Sequence, residues 1–222
     1  MSTPLDDAAR RRGLILDGIG QAAKAARREA SDVRLIAISK TRSADEITSL
    51  IAAGQIEFGE SRVQEAQAKW PALRAAHPGI RLHLIGRLQS NKAPEAVELF
   101  DTIHSLDRAS LLDTLVSAAD KVGRAPSVYA QVNIGEEEQK GGVAIAGLPA
   151  LLDLLRRSPL PLAGLMAIPP NGFEPGPYFA LLAKLAQRHG VEGLSMGMSA
   201  DYQTAVMLGA TAVRVGSALF ED

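Results

Sequence analysis

The sequence predicts an α/β fold, a single (β/α)8 TIM-type barrel with an extra N-terminal helix, and three observations carry that expectation. Short apolar runs alternate with helical periodicity along the whole chain; eight such runs can be counted; and no linker or change of composition divides residues 1–222, which read as one domain. Strands separated by helices pair in parallel through right-handed crossovers. Eight such units in 222 residues suit a closed barrel better than an open sheet.

Each element has its own local signal. Leu5 to Ala30 is alanine-rich with helical spacing, interrupted by Gly13, Gly18 and Gly20, and reads as a leading helix. The first strand-like run, Val33 to Lys40, is followed by Ser43, with Glu46 three residues on, the pattern of a capping box opening a helix that Gly54 ends. Ile56 to Gly59 is the second strand, and Arg62 to Ala76 returns to helical periodicity before the Pro78-Gly79 turn. The alternation continues with strands at Arg81–Gly86, Thr102–Leu106, Val128–Asn133, Leu162–Ile168, Gly193–Met196 and Ala212–Val215. Helices are expected between them, at Ser90–Leu99, Arg108–Val122, Leu148–Arg157, Tyr178–His189 and Ala200–Leu208. After the last strand only Gly216 to Asp222 remain, too few for a full closing helix, so the leading helix is expected to cover that gap.

Composition excludes several function classes. The formal net charge of −1 argues against a nucleic-acid partner, since phosphate contacts demand a surplus of Lys and Arg on one face; Arg10-Arg11-Arg12 and Arg27-Arg28 read as solvated helix faces. There is no cysteine, hence no disulfide, no thiolate nucleophile and no cysteine metal site. His77, His83, His104 and His189 fall on separate elements without metal-ligand spacing and read as ordinary core or surface residues, so no metal is expected. Met1 to Asp7 is polar and acidic, and no apolar run approaches the ~18 residues of a membrane span. The expectation is a cytoplasmic protein with no membrane partner.

Chemistry in such a barrel gathers at the C-terminal ends of the strands. The first strand ends in Lys40, a nucleophile toward aldehydes wherever its surroundings favour the free amine. Ser195-Met196-Gly197-Met198-Ser199-Ala200-Asp201 places Ser199 at a helix start, either as an ordinary N-cap or beside an anion. Val213-Arg214-Val215-Gly216-Ser217 offers a glycine for close backbone approach and a hydroxyl donor, or simply a turn. The loops after strands seven and eight are the usual phosphate site of this fold. Glu60 and Asp107, also at strand ends, read as acid/base groups or as anchors for neighbouring cations. No Gly-x-Ser-x-Gly elbow, Walker loop or dinucleotide fingerprint is present.

Five blocks then carry a family resemblance: Ala37 to Thr41, Phe58-Gly59-Glu60-Ser61-Arg62-Val63-Gln64-Glu65, His83 to Lys92, Leu194 to Asp201 and Val213 to Phe220. Together they resemble the pyridoxal phosphate homeostasis proteins, the YggS/PROSC family, over nearly the whole chain. That family is similar to the barrel domain of alanine racemase. The resemblance implies a protein that binds pyridoxal 5′-phosphate and takes part in vitamin B6 and amino-acid homeostasis, with no established catalytic reaction and no catalytic residue to assign. It implies Lys40 as the lysine of the internal aldimine, Ser199, Gly216 and Ser217 at the phosphate, and Arg214 facing the pyridine nitrogen. A guanidinium does not readily accept a proton, so the ring nitrogen stays neutral and the cofactor is a weakened electron sink. Apo-enzymes that use the same cofactor are the implied acceptors, and the protein is expected as a monomer or weak dimer.

Two positions depart from the family pattern. Ser61 stands where Asn is usual, and in the segment Gly135 to Gly142 Gln139 stands where Ser is usual; that segment reads as a mobile, charged rim loop or a plain solvated connection. The rival readings are a fold type III racemase-like enzyme and a cofactor-free Schiff-base aldolase. A two-base racemase takes one base from a tyrosine in an additional β domain, whereas Tyr129, Tyr178 and Tyr202 all lie within barrel units. An aldolase leaves the phosphate loops unexplained.

Overall fold

A computed structural model describes Thr3 to Glu221; Met1, Ser2 and Asp222, which belong to the segments read above as the polar N-terminus and the tail after the last strand, lie outside the described residues. Eight parallel strands close into a barrel in sequence order: β1 (Arg34–Ile38), β2 (Glu57–Glu60), β3 (Arg81–Leu84), β4 (Thr102–Leu106), β5 (Ser127–Gln131), β6 (Leu162–Met166), β7 (Leu194–Ser195) and β8 (Ala212–Val215). Closure is made by β8 pairing with β1, Ile36 opposite Arg214 and Ala37 opposite Val215. The expected (β/α)8 barrel is therefore the observed fold.

The helices follow the predicted order, with differences that have local causes. The leading helix, α1, spans Pro4–Ala25, opened by a capping box between Thr3 and Asp6. It stops short of Ala30 because Arg27 turns into the left-handed region, φ 56°, and a 3-10 turn at Ala30–Asp32 leads into β1. Gly18 does not break the helix. A Cβ there would fall 2.2 Å from the Tyr202 hydroxyl oxygen, so glycine lets α1 lie close on the helix after β7. That helix is α8 (Tyr202–Met207), and the chain ends in a single turn, α9 (Ser217–Phe220). Packed against α8, α9 and α2 (Ala44–Ala52), α1 fills the place of the missing eighth outer helix, as expected. Between α2 and α8 run α3 (Val63–Ala76), α4 (Ala93–Leu99), α5 (Ala109–Val122), α6 (Leu148–Arg156) and α7 (Gly176–Arg188).

β7 is two residues long rather than the predicted Gly193–Met196, because Gly197, at φ 92°, turns the chain away. Its missing Cβ would stand 2.5 Å from that of Ala205, so only glycine lets the β7 loop fold down onto α8.

Strand residues alternate between two cores. Leu35, Ala37, Phe58, Leu82, Leu84 and Ile103 point outward into the continuous layer beneath the helices, while Ile36, Ile38 and Ala212 form a separate cluster inside the barrel with Ile85. That inner cluster is small. Much of the rest of the interior is polar, since Glu57, His83, His104, Ser195 and Arg214 are all buried. Sidedness of this kind is what positions the site.

Candidate functional site

Lys40 follows β1 by two residues, at the C-terminal mouth of the barrel. Its side chain is exposed, and the ammonium has no hydrogen bond or ion pair to any described residue. The backbone around it is held firmly. Thr41 sits in the left-handed region at φ 62°, an unfavourable place for a β-branched residue. Lys69, from α3, donates to the carbonyls of Ser39 at 2.9 Å and Arg42 at 3.3 Å, clasping the turn on both sides of Lys40. The Thr41 amide donates to Glu65. Behind the turn, fully buried Glu60 accepts from Ser39 Oγ at 2.7 Å and Trp70 Nε1 at 2.8 Å, and pairs with Lys69 Nζ at 2.8 Å. Glu60 thus anchors a cation, as the second of its two sequence readings held. Arg42 lies 5.1 Å over the Phe220 ring and pairs with Glu221, tying α9 to the Lys40 turn.

Arg214 points into the barrel from β8, almost fully buried. Nη1 donates to Ser195 Oγ at 2.7 Å and Nη2 to the Ala167 carbonyl at 3.1 Å; among the described residues no carboxylate forms an ion pair with it. Burial lowers the guanidinium to about 10, against the pull of Asp201 and Tyr129, which leaves it cationic at neutral pH. Just beyond, Ser199 Oγ accepts the Gly216 amide at 3.2 Å, joining the β7 and β8 loops. Ser199 is therefore not the N-cap of α8. That position belongs to Asp201, whose Oδ1 accepts from Met198 N at 2.6 Å, because the Gly197 bend carries Ser199 across to β8 instead. A Cβ on Gly216 would meet only Ile38, at 3.5 Å, so internal packing does not demand glycine there and the peptide is open to close approach. Ser217 is exposed, its hydroxyl unpartnered among the described residues. Sequence reasoning thus named residues that the fold collects on three adjacent strand ends, β7, β8 and β1.

It missed the chain of groups beneath them. His104 Nδ1 is 2.9 Å from Ser195 Oγ, His104 Nε2 is 3.0 Å from His83 Nδ1, and His83 Nε2 is 3.2 Å from Glu57 Oε2. His104 also stacks on Tyr129, ring centroids 4.4 Å apart, and Tyr129 OH accepts from Arg34 at 2.7 Å. Reading His83 and His104 as unrelated core residues is corrected here: β3 and β4 are neighbours, and both rings face inward. Period-2 polarity in strands with two buried faces, Arg81-x-His83 and Thr102-x-His104, was the available signal.

Other expectations are resolved by local contacts. Asp107 pairs with Arg108 at 2.5 Å. The Gly135 to Gly142 segment is tied down rather than loose: Asn133 exchanges hydrogen bonds with the Glu137 backbone, and Lys140 Nζ reaches the Pro169 carbonyl at 3.2 Å and Glu137 at 2.7 Å. Ser61 presents its carbonyl oxygen 2.1 Å from where a Gly86 Cβ would stand, so the β2 and β3 loops are in backbone contact. No cluster of metal-binding side chains occurs among the described residues, and none of their helices is long and apolar enough to cross a membrane.

Removing Lys69 leaves the Glu60 carboxylate buried without its counter-ion. Lys69→Ala is expected to lower the unfolding free energy by about 3–5 kcal/mol, and Glu60→Gln in the same background to restore part of it. Urea titrations of the three proteins measure this; equal stability of wild type and Lys69→Ala would refute the clasp.

His104 is driven well below the ordinary imidazole value by complete burial first, and then by electrostatic interaction with His83, Arg214 and Arg34. The folded state therefore resists a proton that the unfolded chain takes up below pH ~6.5. Stability from this group is fully present above that pH and is lost as pH falls, by up to about 1.4 kcal/mol per pH unit. Stability measured from pH 7.5 to 5 should show this slope and lose it in His104→Asn; parallel profiles would refute the assignment.

No family model matches the chain. It is 41% identical over 209 residues to the pyridoxal phosphate homeostasis protein of Pseudomonas aeruginosa, covering 91% of this chain and 90% of that protein. PipY of Synechococcus elongatus, solved with PLP bound, is 41% identical with a TM-score of 0.79, covering 91% of this chain and 99% of PipY. Alanine racemase of Streptomyces lavendulae, 19% identical with a TM-score of 0.72, covers 97% of this chain and 56% of the racemase and shares the fold.

Proposed function

Because the chain belongs to the family of pyridoxal phosphate homeostasis proteins, we propose that it binds pyridoxal 5′-phosphate at the mouth of the barrel and serves vitamin B6 homeostasis in the cytoplasm as a binding protein rather than an enzyme. The observation that carries this reading is the gathering of Lys40, Arg214, Ser199, Gly216 and Ser217 on three adjacent strand ends, with Lys40 unpartnered among the described residues and Gly216 carrying no side chain where its own packing would admit one. The cofactor supplies an aldehyde for an amine to attack and a ring that delocalises charge. Lys40 is the amine, exposed on a turn that Lys69 and Glu65 hold in place. Ser199, accepting from Gly216, keeps its own hydroxyl proton for a phosphate oxygen, and Ser217 offers a second. Arg214, cationic and clamped by Ser195 and Ala167, would offer its remaining donors to the ring nitrogen.

The same residues support binding without turnover. Proton transfer at a substrate carbon needs an acid/base on each face, and no tyrosine here is free for the second. Tyr129 is buried against His104 and bonded to Arg34, Tyr202 lies against Gly18 of α1, and Tyr178 belongs to the outer helix α7. An exposed Lys40 would leave the amine that holds the cofactor open to solvent, which suits release of the cofactor to apo-enzymes that require it.

Borohydride reduction of protein loaded with pyridoxal 5′-phosphate, followed by peptide mapping, should put the label on Lys40. A label on Lys92 or Lys140 instead would overturn the assignment. Loaded protein kept with L-alanine in deuterated water should produce no D-alanine at an enzymatic rate. Rapid appearance of the D isomer, lost in Lys40→Ala, would make it an enzyme.

A further inference from the structure

Ser195 Oγ is fully buried and has two partners, Arg214 and His104. Arginine only donates, so the serine accepts from Arg214 Nη1. The serine's own proton then has one place to go, His104 Nδ1 at 2.9 Å. If Nδ1 carried a hydrogen, the buried hydroxyl would be left without an acceptor, which is costly. His104 therefore holds its proton on Nε2 and donates it to His83 Nδ1 at 3.0 Å. His83 in turn carries its proton on Nε2, which faces Glu57 Oε2 at 3.2 Å as a charge contact, neither atom having a hydrogen-bond partner. Glu57 remains ionised. Burial alone would raise its carboxyl, but His83, Arg34 and Arg81 together bring it below the ordinary value.

We propose that Ser195, His104 and His83 form a hydrogen-bond relay with one direction, running from Arg214 through the barrel interior to end against the Glu57 carboxylate, and that it orients Arg214 for the cofactor's ring nitrogen. This rests on the reading of Arg214 given above. Ser195 and His104 are positioning residues: both are fully buried and act through Arg214. The relay also meets an electrostatic need. Arg214 is buried without a paired carboxylate, and aligned dipoles that end on the Glu57 anion stabilise its charge while leaving its outer donors unused. A carboxylate bonded directly to Arg214 would compete with the cofactor for those donors. Tyr129, stacked on His104 and bonded to Arg34, fixes the plane of the ring that passes the direction on.

Two measurements test this. In the cofactor-free wild type, long-range proton–nitrogen correlation spectra of 15N-histidine-labelled protein at pH 7.5 should show both buried rings with bare Nδ1 and protonated Nε2. A proton on Nδ1 of either ring reverses the direction and overturns the relay. The second measurement is the pH dependence of the visible band of protein loaded with pyridoxal 5′-phosphate. In His104→Leu, which frees the Ser195 hydroxyl, its midpoint should move by about one pH unit or more. In His104→Asn, whose Oδ1 stands where Nδ1 was, it should stay near the wild-type value. A midpoint unmoved in a folded His104→Leu protein, or moved equally in both variants, overturns the positioning role. Correct tautomers in a wild type that binds no pyridoxal 5′-phosphate also overturn that role, and with it the functional reading, while the relay itself stands.

Discussion

The parallel pairing of β1 with β8, which sets Ile36 opposite Arg214 and Ala37 opposite Val215, closes the sheet and makes neighbours of two ends of the chain. Lys40 lies just past one of these strands, and Gly216 and Ser217 just past the other. An open sheet with the same strands would leave them at opposite edges, and the proposed binding site would not assemble. Closure also removes both sheet edges and allows the interior to be kept from water. What α1 contributes follows from this, because it lies across α2, α8 and α9 beside the closing seam.

An interior sealed in this way makes every inward polar group expensive unless it is partnered. The barrel has few inward apolar residues, Ile36, Ile38 and Ala212 with Ile85, and glycine at position 59 because the isoleucines occupy the space, a Cβ there falling 2.6 Å from Ile38 Cδ1. Polar side chains fill the remainder, joined end to end from Arg214 to Glu57. The mouth of the barrel is built oppositely. There Lys40 and Ser217, the proposed binding groups, are exposed and unpartnered among the described residues, while the buried Glu60 below them receives Ser39, Trp70 and Lys69 on one carboxylate oxygen at once. Holding the Lys40 turn with Lys69 lets Lys40 itself remain uncommitted.

Much of this was legible in the sequence. The alternation of apolar runs and helical periods specified a barrel, since strands buried on both faces must be apolar and short. Lys40, Ser199, Arg214, Gly216 and Ser217 stood out because they fall at strand ends, where this fold places its chemistry. Boundaries were less legible. α1 ends early at Arg27, and β7 is cut short at Gly197, because positive backbone torsions at single residues decide both and neither has an unambiguous composition signal. Ser199 shows the same limit. As a serine before a short helix it matched an N-cap, but the Gly197 bend carries it to the Gly216 amide instead.

By itself the sequence determined the fold class, the family and the residues at the mouth, because those depend on local periodicity and on residue types at strand ends. Only the tertiary structure decided which inward groups meet. His83, His104 and Ser195 lie on β3, β4 and β7, and their contacts depend on register and closure, so that distant strands share a single interior. Lys69 is likewise an ordinary helix lysine in sequence; the packing of α3 behind β1 and β2 brings its ammonium to the Lys40 turn and to a carboxylate that water does not reach.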